Sequence, residues 1–137
     1  ERGNPMPEVN WLAVLAAAVS AFVIGGIWYS PVLFFKAWQR GAGLSDEQLK
    51  SGNPAKIYGG SLVLSIIAAA VFAMFLGPSP EVGFATAAGF AAGLCWVAAS
   101  FGINYLFERK GLSLFFINGG YHTVQFTVYG LILGLWH

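Results

Sequence analysis

Residues 57–76 read IYGGSLVLSIIAAAVFAMFL, twenty positions without a charge. At about 1.5 Å of rise per residue, such a segment crosses the roughly 30 Å hydrocarbon core of a bilayer as a helix. Lipid offers no water to a bare backbone, so the carbonyls and amides must pair within the segment. The run also lacks the polar face of a soluble amphipathic helix. Three further stretches carry the same signature, at 9–29, 82–107 and 112–136. The last of them holds His122 and tyrosine hydroxyls as its only ionisable groups. Pro78 and Pro80 fall in the turn between the second and third stretches, and Gly111 in the turn between the third and fourth. The expected fold is all-α and polytopic: four transmembrane helices in a single domain over residues 6–137.

Composition agrees. Charged residues make up 9% of the 137, against roughly 25% in soluble domains, and hydrophobic residues 57%. So few charges cannot cover a surface in water. A cytosolic globular enzyme, a nucleic-acid-binding domain and a disordered chain are excluded on that ground. Cys95 is the single cysteine, which excludes an intramolecular disulfide framework and a cysteine-based zinc site. Mid-span beside Trp96, it reads as an inert buried thiol.

The first stretch is not a signal peptide. It has no basic leader, and Trp28-Tyr29-Ser30-Pro31 is a poor cleavage site. Residues 1–5 read as a remnant of cloning, since Met6 would make a natural start, and they are left out of the topology. Lysines and arginines then set an orientation. Lys36, Arg40, Lys50 and Lys56 fall between the first two stretches, and Arg109 and Lys110 between the last two. The positive-inside rule makes both connections cytoplasmic and both termini external.

The long connection has local structure of its own. Ser30-Pro31 reads as an N-cap with proline at the first helical position, opening a short interfacial helix through Trp38. Lys36 and Arg40 would point to headgroups, and Gly41 and Gly43 would end the helix. Ser45-Asp46-Glu47-Gln48 reads as a capping box opening a second short helix.

Small residues mark where membrane helices approach. Ala17, Ala21 and Gly25 form one stripe, Ser61 and Ser65 a second, and Gly89 and Gly93 a third. Gly119 and Gly120 are read as packing positions too. With Gly25-Gly26 and Gly59-Gly60 they make three Gly-Gly pairs, which suit either close helix approach or a ligand reaching the backbone.

The last stretch carries the most chemistry. Asn118, His122, Gln125 and Tyr129 are spaced four, three and four apart and share one helix face. Lipid is a costly neighbour for such an edge, so it should face protein, a partner or water. Counting helix rise from the turn at Gly111 puts Asn104 near the depth of Asn118, and Ser100 near His122. The expected ligand-binding site is an inward-opening patch of Ser100, Asn104, Asn118, His122 and Gln125, with Trp28 and Tyr29 at its mouth. His122 suits either a neutral imidazole joining helices or a proton-relay or ligand-binding group. One histidine without carboxylate or thiol neighbours makes a poor metal site, so no metal and no cofactor are expected. No span holds a carboxylate, and no nucleophile-base pair or phosphate loop is evident, so no catalytic residue is assigned and an enzyme is not expected.

Asn10-Trp11, then Gly25-Gly26-Ile27-Trp28-Tyr29-Ser30-Pro31-Val32-Leu33-Phe34, then Trp38, resemble the opening signature of a bacterial family known as domain of unknown function 1761. Asn118-Gly119-Gly120-Tyr121-His122 through Gly134-Leu135-Trp136 is similar to that family's closing segment. The likeness runs over nearly the whole chain from Met6, and departs from the family pattern at Phe35, where a glycine is expected. It implies a small four-helix bacterial membrane protein, hence an inner-membrane location, and brings no activity. Expected partners are the lipid bilayer and either further copies of the chain or another membrane protein, with no nucleic acid. A homo-oligomer binding or passing a small solute, as a transporter would, stands beside an accessory subunit of a larger membrane complex. An enzyme acting on lipid or quinone stands well behind.

Overall fold

The structure is a computed structural model and describes residues 9–137. The expectation for residues 1–5 lies outside them. Among the described residues there is no strand. The helices are α1 (Trp11–Trp28), α2 (Phe35–Ala42), α3 (Asp46–Lys50), α4 (Pro54–Leu76), α5 (Val82–Ala91), α6 (Ala99–Glu108) and α7 (Leu112–Leu135). A π-helical segment, Ala92–Ala98, joins α5 to α6, so the two run on as one rod.

Side chains near the helix starts supply partners for the first amides, which have none inside the helix. Asn10 accepts from the Leu12 and Ala13 amides, and Asn53 from those of Ala55 and Lys56 ahead of Pro54. Glu81 accepts from Gly83 and Phe84, and these bonds hold its carboxyl below the ordinary carboxylate range. Ser45 and Gln48 form the expected reciprocal capping box. The expected cap at Ser30-Pro31 is corrected. Residues 30–34 form turns, α2 begins at Phe35 without a side-chain cap, and the Ser30 hydroxyl donates back to the Ile27 carbonyl. Two backbone bonds onto the Ser30 carbonyl, from Leu33 and Phe35, close that turn. Gly41 lies inside α2 and Gly43 ends it with φ of +73°.

Three rods are long and apolar enough to cross a membrane: Trp11–Trp28, Pro54–Leu76 and Val82–Glu108. The expectation of four such rods is corrected. α7 has the length, at 24 residues, but Asn118, His122, Thr123, Gln125 and Thr127 dilute its apolar character. Its position accounts for the difference. α7 lies at the centre, with α5, the π segment and α6 along one side and α1 along another, while α4 packs on α1. The most polar long helix is thus the most sheltered one, where its polar groups meet protein.

The interior is built from small side chains. Ala13, Ala17 and Ala21 of α1 are fully buried and cluster with Ala69, Phe72 and Ala73 of α4. Large apolar side chains face outward instead, Val23, Ile67, Phe75, Phe84 and Phe90 among them. Cys95 is exposed too, contrary to its reading as a buried thiol. The two ends of the bundle differ. Val9, Asn10, Gly77, Pro78, Pro80, Trp136 and His137 meet at one end. At the other, Gly41 of α2 lies against Leu114 of α7, so both basic connections gather there.

Candidate functional site

The seam between α7 and the α5–α6 rod sets the site's geometry. A Cβ at Gly89 would collide with the Phe126 carbonyl, and one at Gly130 with the Ala85 carbonyl. At Gly93 it would sit 2.7 Å from the His122 carbonyl oxygen, and at Gly119 3.1 Å from the Ala98 side chain. Gly102 and Phe115 meet in the same way. Along the rod the contact positions are therefore 85, 89, 93, 98 and 102. The single five-residue step falls in the π segment and turns the contact face one residue later. Of the expected packing positions, Gly25 abuts the Tyr121 ring and Gly120 the Trp28 ring, whereas a Cβ at Gly26, Gly59 or Gly60 would meet nothing within 4 Å. Ser61 is exposed and bonds back to Ile57, while the Ser65 carbonyl faces Tyr129.

Two polar clusters lie along α7. Near the basic connections, the Tyr29 hydroxyl donates to Asn118 Oδ1 at 2.6 Å, and Asn118 Nδ2 donates to the Tyr105 hydroxyl at 2.7 Å. Trp28 Nε1 donates to the Ile117 carbonyl at 2.8 Å, and the Tyr121 hydroxyl to the Ala21 carbonyl at 2.9 Å. One amide and three aromatic donors thus tie α1 and Tyr29 just beyond it to α7 and α6. Deeper in, Gln125 Nε2 donates to the Tyr129 hydroxyl at 2.7 Å, and that hydroxyl points to the Ser65 carbonyl at 3.5 Å. Gln125 Oε1 is then the atom left for His122 Nδ1, 2.6 Å away, so Nδ1 carries the proton in this arrangement. The imidazole stacks on Phe101, with centroids 5.0 Å apart and planes 10° from parallel, and meets the Tyr121 ring edge-on at 4.9 Å.

Trp28, Tyr29 and Asn118 thus meet in the first cluster and His122 and Gln125 in the second, bonded to protein rather than lining an open patch. No fully buried side-chain nitrogen or oxygen among the described residues lacks a partner. Ser100 and Asn104 join neither cluster. Both are exposed, and with Trp96, Val97 and Phe101 they line an outward-facing groove of about 360 Å³. Counting rise gave their depth, but the five-residue step rotates them out and carries Phe101 and Tyr105 in. Tyr105 and Tyr121 were missed as partners. Their hydroxyls at helical spacing from Phe101 and Asn118 were the available signal, but their azimuth depends on the π segment. Thr123 and Thr127 close onto carbonyls of their own helix and need no partner. No group of three metal-ligating side chains occurs among the described residues.

These features define a class: an all-helical chain with three rods of membrane-crossing length and apolarity, packed by glycine seams on a more polar central helix. The chain belongs to the family described as protein of unknown function (DUF1761), whose model matches residues 12–134. No curated protein and no solved structure matches it.

Proposed function

We propose that the chain is a four-span protein of the bacterial inner membrane that works as a homo-oligomer, binding or passing a small solute at the boundary between subunits. Shelter by its neighbours supports α7 as the fourth span, since Asn118, Gln125 and Tyr129 on its polar edge bond within the chain. Lys36, Arg40, Lys50, Lys56, Arg109 and Lys110 lie in the connections of one end, which makes that end cytoplasmic by the positive-inside rule and leaves both termini outside. Lys36 and Arg40 are exposed on α2, as suits a helix resting at the headgroups.

One observation carries the solute reading. Asn118, Gln125 and Tyr129 on the polar edge of α7 are bonded within the chain, whereas Ser100 and Asn104, with no side-chain bond among the described residues, lie along an outward groove. The groove beside Ser100 and Asn104 gives a polar route a place on the outer face of α6. The test is a thermal-shift screen of the purified protein against inorganic ions, amino acids and monosaccharides, followed by flux measurements in vesicles. At least one solute class should raise the Tm of the wild type and not that of Asn104→Leu, while His122→Ala should keep the shift. No shift with any class, or equal shifts in wild type and Asn104→Leu, would refute it. The same groove also suits a helix of a different protein, which is the accessory-subunit reading. A fixed partner co-purifying after mild solubilisation would favour that instead.

A further inference from the structure

We propose that the outward face of α6 is a two-fold contact between two copies of this chain, closed by Asn104 and Ser100 pairing with the same residues of the second copy. The inference rests on the oligomeric reading above and assigns its interface.

Trp96, Ser100, Asn104 and Glu108 follow at four-residue intervals and share one face of the rod. All four are exposed. The hydroxyls of Ser20, Thr86, Thr123 and Thr127 close onto carbonyls of their own helices. The Ser100 hydroxyl and Asn104 amide have no such bond among the described residues, and the groove beside them is open. By helix rise, Asn104 lies about 6 Å and Ser100 about 12 Å inside the Glu108 end. Acyl chains at the depth of Ser100 offer neither donor nor acceptor, so an occupant that brings both is favoured on this face.

A second copy does so without further assumption. An axis along the bilayer normal sets like positions opposite each other and keeps the orientation that the basic connections impose. An amide carries donor and acceptor together, so Asn104 is complementary to itself, and the Ser100 hydroxyl likewise. At the headgroup end the exposed charges are also self-complementary: Glu108 is followed directly by Arg109 and Lys110, so the carboxylate of each copy can meet a cation of the other. The groove between Trp96 and Asn104, floored by Val97 and Phe101, then lies beside the paired amides at the subunit boundary, where the solute of the proposed function would sit.

The test uses the full chain in native membranes, in a Cys95→Ala background. Single cysteines are placed by Ser100→Cys on the proposed contact, and by Leu64→Cys and Phe84→Cys on other exposed faces, then oxidised with copper phenanthroline. Ser100→Cys should give a disulfide-linked dimer and the two controls should stay monomeric. Asn104→Leu should raise the dimer dissociation constant, read by energy transfer between labelled copies in vesicles, by about tenfold, and Asn104→Gln should restore most of it. Unchanged dimerisation of Asn104→Leu, or no cross-link at position 100, overturns the inference. If cross-links appear at Leu64→Cys instead, the chain is oligomeric through α4 and only this interface is wrong. One copy per particle by photobleaching overturns the oligomeric reading as well. Capture of a different protein at position 100 overturns the two-fold contact in favour of the accessory-subunit reading.

Discussion

Gly93→Ala puts the seam between α7 and the α5–α6 rod to the most direct test. A methyl group there would sit 2.7 Å from the His122 carbonyl oxygen and 2.8 Å from Thr123 Cα, where ordinary contacts begin at 3.4 Å. The helices must part by about 0.7 Å. Two of the three nearest atoms are backbone, so trimming the third, Phe126 Cβ, cannot relieve the clash. Inserting a methyl into a closed seam costs about 1–3 kcal/mol. Parting the helices by that much also forfeits roughly a quarter to a half of the dispersion energy of each contact along the seam. Gly59→Ala is the matched control, because a Cβ at Gly59 meets nothing within 4 Å. There alanine is neutral or favourable, by up to about 1 kcal/mol on helix propensity. The assay is unfolding of the purified protein by sodium dodecyl sulfate in mixed micelles, followed by tryptophan fluorescence. Gly93→Ala should unfold at a lower detergent fraction and Gly59→Ala should not. A Gly93→Ala variant within about 0.5 kcal/mol of wild type, or equal losses at the two glycines, would refute the seam.

Asn118→Leu removes the one group that bonds both Tyr29 and Tyr105, and should cost about 1–2 kcal/mol in the same assay, with Tyr105→Phe costing less because the Tyr29 bond survives. Trp28→Phe should cost about 0.5–1.5 kcal/mol, since the ring is kept and the bond to the Ile117 carbonyl is lost. The Glu81 carboxyl, held below its ordinary value of 4.5 by the Gly83 and Phe84 amides, contributes stability that is present above pH 4.5 and lost as pH falls through its lowered folded value. Wild type should therefore exceed Glu81→Gln in stability at neutral pH, with the gap closing on acidification. Cysteines replacing Lys36 and Lys110, in a Cys95→Ala background, should both resist an impermeant maleimide in sealed cells; labelling of only one would place the two connections on opposite sides.

What the residue string determines here is the apolarity of the rods and the element type. A chain with 57% hydrophobic and 9% charged residues cannot cover itself in water, and a backbone in lipid must pair within its own helix. Helix positions, the caps at Ser45 and Gly43 and the gathering of basic residues follow from local chemistry, because a cap is satisfied within three or four residues. Azimuth is not local. One five-residue step between Gly93 and Ala98 turns Ser100 and Asn104 outward and brings Phe101 and Tyr105 to the polar edge of α7. Spacing alone carries no sign of that step, which accompanies the backbone contact of Gly93 with His122 and Thr123. The shelter that lets α7 keep Asn118, His122 and Gln125 is likewise a property of the bundle, since only the packed neighbours decide which of the long helices stands in the middle.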